Sequence, residues 1–107
     1  MAVIELAGTD AGQVRSAGSG DTVLVRLAET PASGYRWEID GYEPAVLVPS
    51  GSEFRPPTGT GMGGRGTREL RFAVVGPGRS LLRLALRRYW EEPLTSAERF
   101  EVTLVVT

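Results

Sequence analysis

An all-β, antiparallel sandwich of about seven strands is the fold class this sequence predicts, and three observations carry it. The clear apolar segments alternate with period two, clusters of Gly, Pro, Ser and Asp fall between them, and no segment holds a sustained helical stripe. Strands that each bury one face require two sheets packed face to face, with the connecting loops gathered at the two ends.

In chain order, a weak strand is predicted near Val3–Leu6. The run "TVLVRL" then sets Val23, Val25 and Leu27 on one face, and "YRWEID" sets Tyr35, Trp37 and Ile39 against Arg36, Glu38 and Asp40. A second weak strand is predicted near Val46–Phe54, with Leu47 and the Phe54 end as its core contributors. "ELRFAVV" places Leu70, Phe72 and Val74 together, "LLRLALR" does so for Leu82, Leu84 and Leu86, and "RFEVTLVVT" for Phe100, Val102, Leu104 and Val106. Breakers at 18–21, 30–34, 55–66, 76–78 and 91–93 separate these runs. No repeat or linker divides the chain, so residues 1–107 read as a single domain.

Composition narrows the function. All 12 cationic residues are Arg, and Lys, His and Cys do not occur. Their absence removes the Ser–His pair, the thiol nucleophile, the Schiff-base and P-loop lysines and the common transition-metal ligands. Carboxylate pairs remain, but Glu91 and Glu92 are adjacent and point apart on extended chain, which is poor geometry for flanking one bond. The sequence therefore predicts no enzyme and no cofactor. A net charge of -1 disfavours nucleic acid as a partner, and no segment approaches the ~20 apolar residues of a membrane span. The opening "MAVIELAGTD" lacks an apolar stretch of signal-peptide length, which predicts a cytoplasmic chain as written, or a secreted or periplasmic one if the native chain begins upstream.

Three connections are richer than turns. Gly76-Pro77-Gly78 is all that a short hairpin needs and sets the standard of comparison. Against it stand "TPASGYRW" (30–37), "TGTGMGGRGT" (58–67), with five glycines, and "RRYWEEP" (87–93). Counted from Val3, these loops follow the second, fourth and sixth strands, so strands running alternately up and down bring them to one end of the sandwich. Special loops on a rigid scaffold make a binding surface. Gly59, Gly61 and Gly64 match the spacing of a dinucleotide fingerprint, but a strand and not a helix follows them. Trp37, on an inward row, is expected in the core. Tyr35 sits at the strand mouth, and Trp90 suits either the core edge or a partner surface.

These residues resemble the chagasin-type inhibitors of papain-like cysteine proteases. That family carries an Asn-Pro-Thr-Thr-Gly-(Tyr/Phe)-x-Trp segment, a Gly-rich segment and an Arg-Pro-Trp segment on an immunoglobulin-like sandwich. Here the three stand as Thr30-Pro31-Ala32-Ser33-Gly34-Tyr35-Arg36-Trp37, as Gly61-Met62-Gly63-Gly64, and as Arg88-Tyr89-Trp90, in the same order and spacing. The closing "SAERFEVTLVV" also resembles the family's last strand. Thr30 replaces Asn, Ala32 and Ser33 replace Thr-Thr, and Tyr89 replaces Pro; the changes shorten side chains that hold the first loop and remove a stiff residue before Trp90.

The resemblance implies a monomeric, reversible inhibitor whose partner is a papain-family cysteine protease, endogenous or foreign. The tip around Ala32-Ser33-Gly34 would enter the cleft, the Gly-rich segment would lie along it, and Trp90 would lie on its other wall, with Arg88 at the rim. Small residues suit a narrow cleft because they let backbone come close. A generic immunoglobulin-like adhesion or carbohydrate-binding module is the alternative, since exposed aromatics and polar loops also suit sugars.

Overall fold

The computed structural model describes residues 1–56, 66–88 and 98–107. Among them, eight strands follow the alternating rows: β1 (Val3–Ala7), β2 (Val14–Ala17), β3 (Thr22–Glu29), β4 (Arg36–Gly41), β5 (Leu47–Arg55), β6 (Gly66–Val74), β7 (Gly78–Arg87) and β8 (Glu98–Val106). They form two four-stranded sheets, ordered β1-β3-β6-β5 and β2-β8-β7-β4. This is the expected all-β, immunoglobulin-like sandwich.

The core lies between the sheets. Val23, Val25 and Leu27 of β3 and Leu70, Phe72 and Val74 of β6 meet Leu82 and Leu84 of β7, Phe100, Val102, Leu104 and Val106 of β8, and Trp37 of β4. Each large apolar side chain buried this way contributes about 1.5–3 kcal/mol, which is why the inward rows set the register. Leu47 is fully buried as expected. Phe54, expected in the core, is only half-buried and lies outside the core cluster.

Two features of the topology differ from the sequence reading. The additional strand, β2, has no buried residue and so lacks an apolar row to announce it; it pairs with β8 in parallel. Because the chain leaves the first sheet after β1, runs along the second as β2 and returns as β3, β1 also pairs with β3 in parallel. Asp21 anchors that return: its carboxylate accepts the N–H groups of Ala2 (2.9 Å) and Gly18 (2.8 Å). These two bonds hold its pKa below the usual carboxylate value.

The Gly-Pro-Gly connection is not a hairpin. β6 and β7 lie in different sheets, so residues 75–77 cross the sandwich. The glycines permit the crossing. A Cβ on Gly76 would lie 2.7 Å from the Ala45 carbonyl oxygen, and Gly78 has φ of +133°.

The outer face of the first sheet carries a lattice of Arg and Glu. Glu69 of β6 accepts from Arg55 Nε (2.7 Å) and from Arg26 Nε (2.9 Å), and Arg26 continues to Glu5. Glu69 is buried beneath the two arginine stems, whose hydrogen bonds hold its carboxyl below its usual pKa.

Candidate functional site

The strand ends at one pole of the sandwich bracket all three of the rich connections. Cross-strand partners there are Glu29 with Gly66, Arg55 with Thr67, Arg36 with Arg87, and Leu86 with Glu98. Glu29 and Arg36 flank the first connection, Arg55 and Gly66 the second, and Arg87 and Glu98 the third. With β2 inserted, these connections follow the third, fifth and seventh strands; their spacing by two is unchanged, and so is their common pole.

Thr30 to Tyr35 form a compact tip. Pro31–Ser33 make one turn of 3-10 helix, opened by a proline that has no N–H to leave unpaired. The Ser33 N–H donates to the Thr30 carbonyl (3.1 Å), as does its hydroxyl (2.6 Å), and the same hydroxyl accepts the Tyr35 N–H at 3.2 Å. Ser33 therefore does the local work of holding the turn, which answers the concern that this position is shorter than the family's Thr. Gly34 ends the turn at φ of +81°, a left-handed conformation that a side chain would strain. Ala32 and Ser33 are exposed, while Thr30, Gly34 and Tyr35 are half-buried.

The return limb of the tip is anchored in the core. Trp37 is 4% exposed, and its indole Nε1–H donates to the Ala28 carbonyl at 2.9 Å. Its backbone N–H donates to Glu29 Oε2 at 3.0 Å, so the residue before the tip grips the residue after it. From the third connection, Arg88 donates through Nε to the Ser33 carbonyl (3.2 Å) and lays its guanidinium over the Tyr35 ring, 4.3 Å from the centroid. Arg88 thereby braces the tip as well as flanking it.

Of the site residues expected from sequence, Thr30, Pro31, Ala32, Ser33, Gly34, Tyr35 and Arg88 belong to this assembly. Gly61, Met62, Gly63, Gly64, Tyr89 and Trp90 lie outside the described residues, as do Glu91 and Glu92. Among the described residues no group of acidic side chains could hold a metal ion.

Three residues that build the pole went unremarked in the sequence. Glu29 continues the inward row Val23, Val25, Leu27 by one step, and Arg68 precedes Leu70, Phe72 and Val74 on theirs. Their opposite charges at core-facing positions were the available signal. The two meet in a forked ion pair, Arg68 Nη2 to Glu29 Oε1 at 2.8 Å and Nε to Oε2 at 3.1 Å. The third is Gly66, where a Cβ would sit 2.2 Å from Phe54 Cζ and 2.6 Å from the Arg55 carbonyl oxygen. Its glycine identity lets β5 and β6 close at the foot of the Gly-rich connection.

No curated protein matches the chain. Among solved structures it is similar to a cysteine protease inhibitor from Entamoeba histolytica, at 18% identity and a TM-score of 0.85, over 99% of this chain and 96% of that one. It is also similar to Amebosin, at 20% identity and a TM-score of 0.80, over 97% of each chain. PbICP-C, solved in complex with falcipain-2, matches at 14% identity and a TM-score of 0.69, over 98% of each chain. At these identities the likeness is one of fold. The family model for the chagasin family peptidase inhibitor I42 matches residues 16–104, a span that takes in the tip, all three rich connections and most of both sheets. On that match, the chain belongs to the chagasin family of peptidase inhibitors.

Proposed function

We propose that this protein is a monomeric, reversible inhibitor of papain-family cysteine proteases that blocks the active-site cleft with the pole of the sandwich bearing residues 30–35, 57–65 and 88–97. The observation that carries the reading is the tip: a small-residue apex, Ala32-Ser33-Gly34, held by its own hydroxyl and braced by Arg88. A narrow cleft admits only such an apex, and a tip ordered before binding loses little conformational entropy on insertion. A glycine-rich segment, Gly61-Met62-Gly63-Gly64, suits an extended path along cleft backbone, and Tyr89-Trp90 supplies aromatic anchors of the kind that dominate interfaces.

Family membership supports inhibition, and the structurally similar PbICP-C is one that binds a partner, falcipain-2. The carbohydrate-binding alternative needs an aromatic face free to stack on a sugar; among the described site residues the one aromatic, Tyr35, is half-buried with Arg88 over its ring. Inhibition by occupation needs no reacting group on the inhibitor, consistent with a chain that lacks Cys, His and Lys.

The test is titration of the purified protein into papain and several cathepsin L-like enzymes with a fluorogenic peptide substrate. Saturable inhibition that reverses on dilution is expected. No inhibition at micromolar protein across that set overturns the reading.

A further inference from the structure

We propose that Glu29 and Arg68 are positioning residues for the inhibitory pole, acting as one buried clamp that sets the tip and the foot of the Gly-rich connection relative to each other; the inference rests on the function proposed above. Their placement is the first argument. Glu29 follows Val23, Val25 and Leu27 on its inward row and Arg68 precedes Leu70, Phe72 and Val74 on its own, and their side chains are 3% and 12% exposed. A buried ion pair is weak as a stabiliser, since an apolar pair of similar volume often does as well or better. Stability alone therefore does not account for it.

What the pair does that an apolar pair cannot is fix directions. Glu29 Oε1 accepts from Arg68, and Oε2 accepts from both Arg68 and the Trp37 N–H. The carboxylate thus ties together the two limbs of the tip, from two different sheets. Arg68 supplies the other half. Its Nη1 donates to Ser52 Oγ at 3.3 Å, and its guanidinium lies 5.7 Å from the centroid of Phe54, whose ring packs against Gly66. One guanidinium plane therefore spans the ends of β5 and β6 and the neck of the tip. Forked Arg–carboxylate geometry tolerates little rotation, so it holds the neck of the tip and the strand ends at the foot of the Gly-rich connection in one relative orientation before a protease arrives.

The experiment measures inhibition constants, unfolding midpoints and amide hydrogen exchange for the wild type, Glu29→Gln, Arg68→Lys and the apolar double variant Glu29→Leu/Arg68→Met. The double variant is expected to stay folded while its inhibition constant rises about tenfold, the scale of one or two side chains' worth of lost preorganisation. Exchange at the Trp37 amide should accelerate while central β7 and β8 amides keep their protection. Glu29→Gln, which retains an acceptor for the Trp37 N–H, should recover part of the loss. Val102→Ala, a core truncation in β8, serves as the control: it lowers the unfolding midpoint and leaves inhibition unchanged.

If the double variant inhibits as tightly as the wild type, or if Val102→Ala weakens inhibition equally, the positioning role is overturned. If the double variant fails to fold, Arg68→Lys decides: it keeps the charge but loses the fork, and unchanged inhibition overturns the proposal. Failure of the wild type itself to inhibit any papain-like enzyme overturns the functional reading instead, a result separable from the others.

Discussion

The Arg88 guanidinium lies over the Tyr35 ring at 4.3 Å from its centroid, while its Nε donates to the carbonyl of Ser33. Two connections far apart in sequence are joined by this contact, and the apex between Thr30 and Tyr35 is braced from outside as well as by Ser33 within. Arg88→Ala should therefore weaken inhibition through the tip's ordering. A cation–π contact and one charge-assisted hydrogen bond together are worth about 1–2 kcal/mol, so the inhibition constant should rise roughly five- to thirtyfold. Arg88→Lys keeps the charge but loses the planar stack and should recover little; equal inhibition by wild type and Arg88→Ala would show that the brace is idle.

The two tryptophans should separate. Trp37→Ala removes a buried indole and its bond to the Ala28 carbonyl, and should cost about 3–5 kcal/mol in denaturant unfolding. Trp90→Ala is expected to leave the unfolding midpoint near that of the wild type and to weaken inhibition by about 2 kcal/mol or more, as loss of an interface anchor does. Unfolding caused by Trp90→Ala with inhibition retained would place that residue in the core instead.

Glycine substitutions probe the backbone of the pole. Gly34→Ala forces a side chain into φ of +81°, at about 1–2 kcal/mol, and should raise the inhibition constant by disturbing the apex. Gly66→Ala meets the Arg55 carbonyl and the Phe54 ring, and its overpacking should cost about 1–3 kcal/mol of stability. The contrast is read by measuring both quantities on each variant: Gly34→Ala should lose inhibition before stability, and Gly66→Ala should lose both.

Acid should loosen the first sheet. Glu69 has a folded-state pKa below its ordinary 4.5, chiefly from the hydrogen bonds of Arg55 and then Arg26. A carboxylate whose pKa is lower when folded binds more protons in the unfolded state. Its stabilisation is therefore complete above about pH 4.5 and disappears as pH falls through the folded value. Unfolding midpoints measured from pH 7 to pH 2 should fall in that window, and Glu69→Gln should flatten the fall. An identical pH profile for the variant would assign the acid sensitivity elsewhere, with Asp21 the next group to test because its pKa is also lowered.

The alternating rows by themselves determined the sandwich, the core and the burial of Trp37, because a period of two admits one inward face and apolar side chains must fill it. The order of Pro31, Gly34, Tyr35 and Trp37, followed by the glycines and by Arg88 and Trp90, determined where a binding surface was to be sought. Only the tertiary structure decided that β6 and β7 belong to different sheets, since Gly76-Pro77-Gly78 permits a hairpin and a crossing alike and long-range packing chooses between them. The short β2 was invisible for a related reason: with no buried residue, its place is set by the edge of β8. Tertiary structure also decided the roles of Glu29, Arg68 and Arg88. Their charges were legible, but partners such as Glu29 and Arg68, 39 positions apart, are brought together only by the pairing of β3 with β6. That proximity turns three scattered charges into the framework that holds the tip.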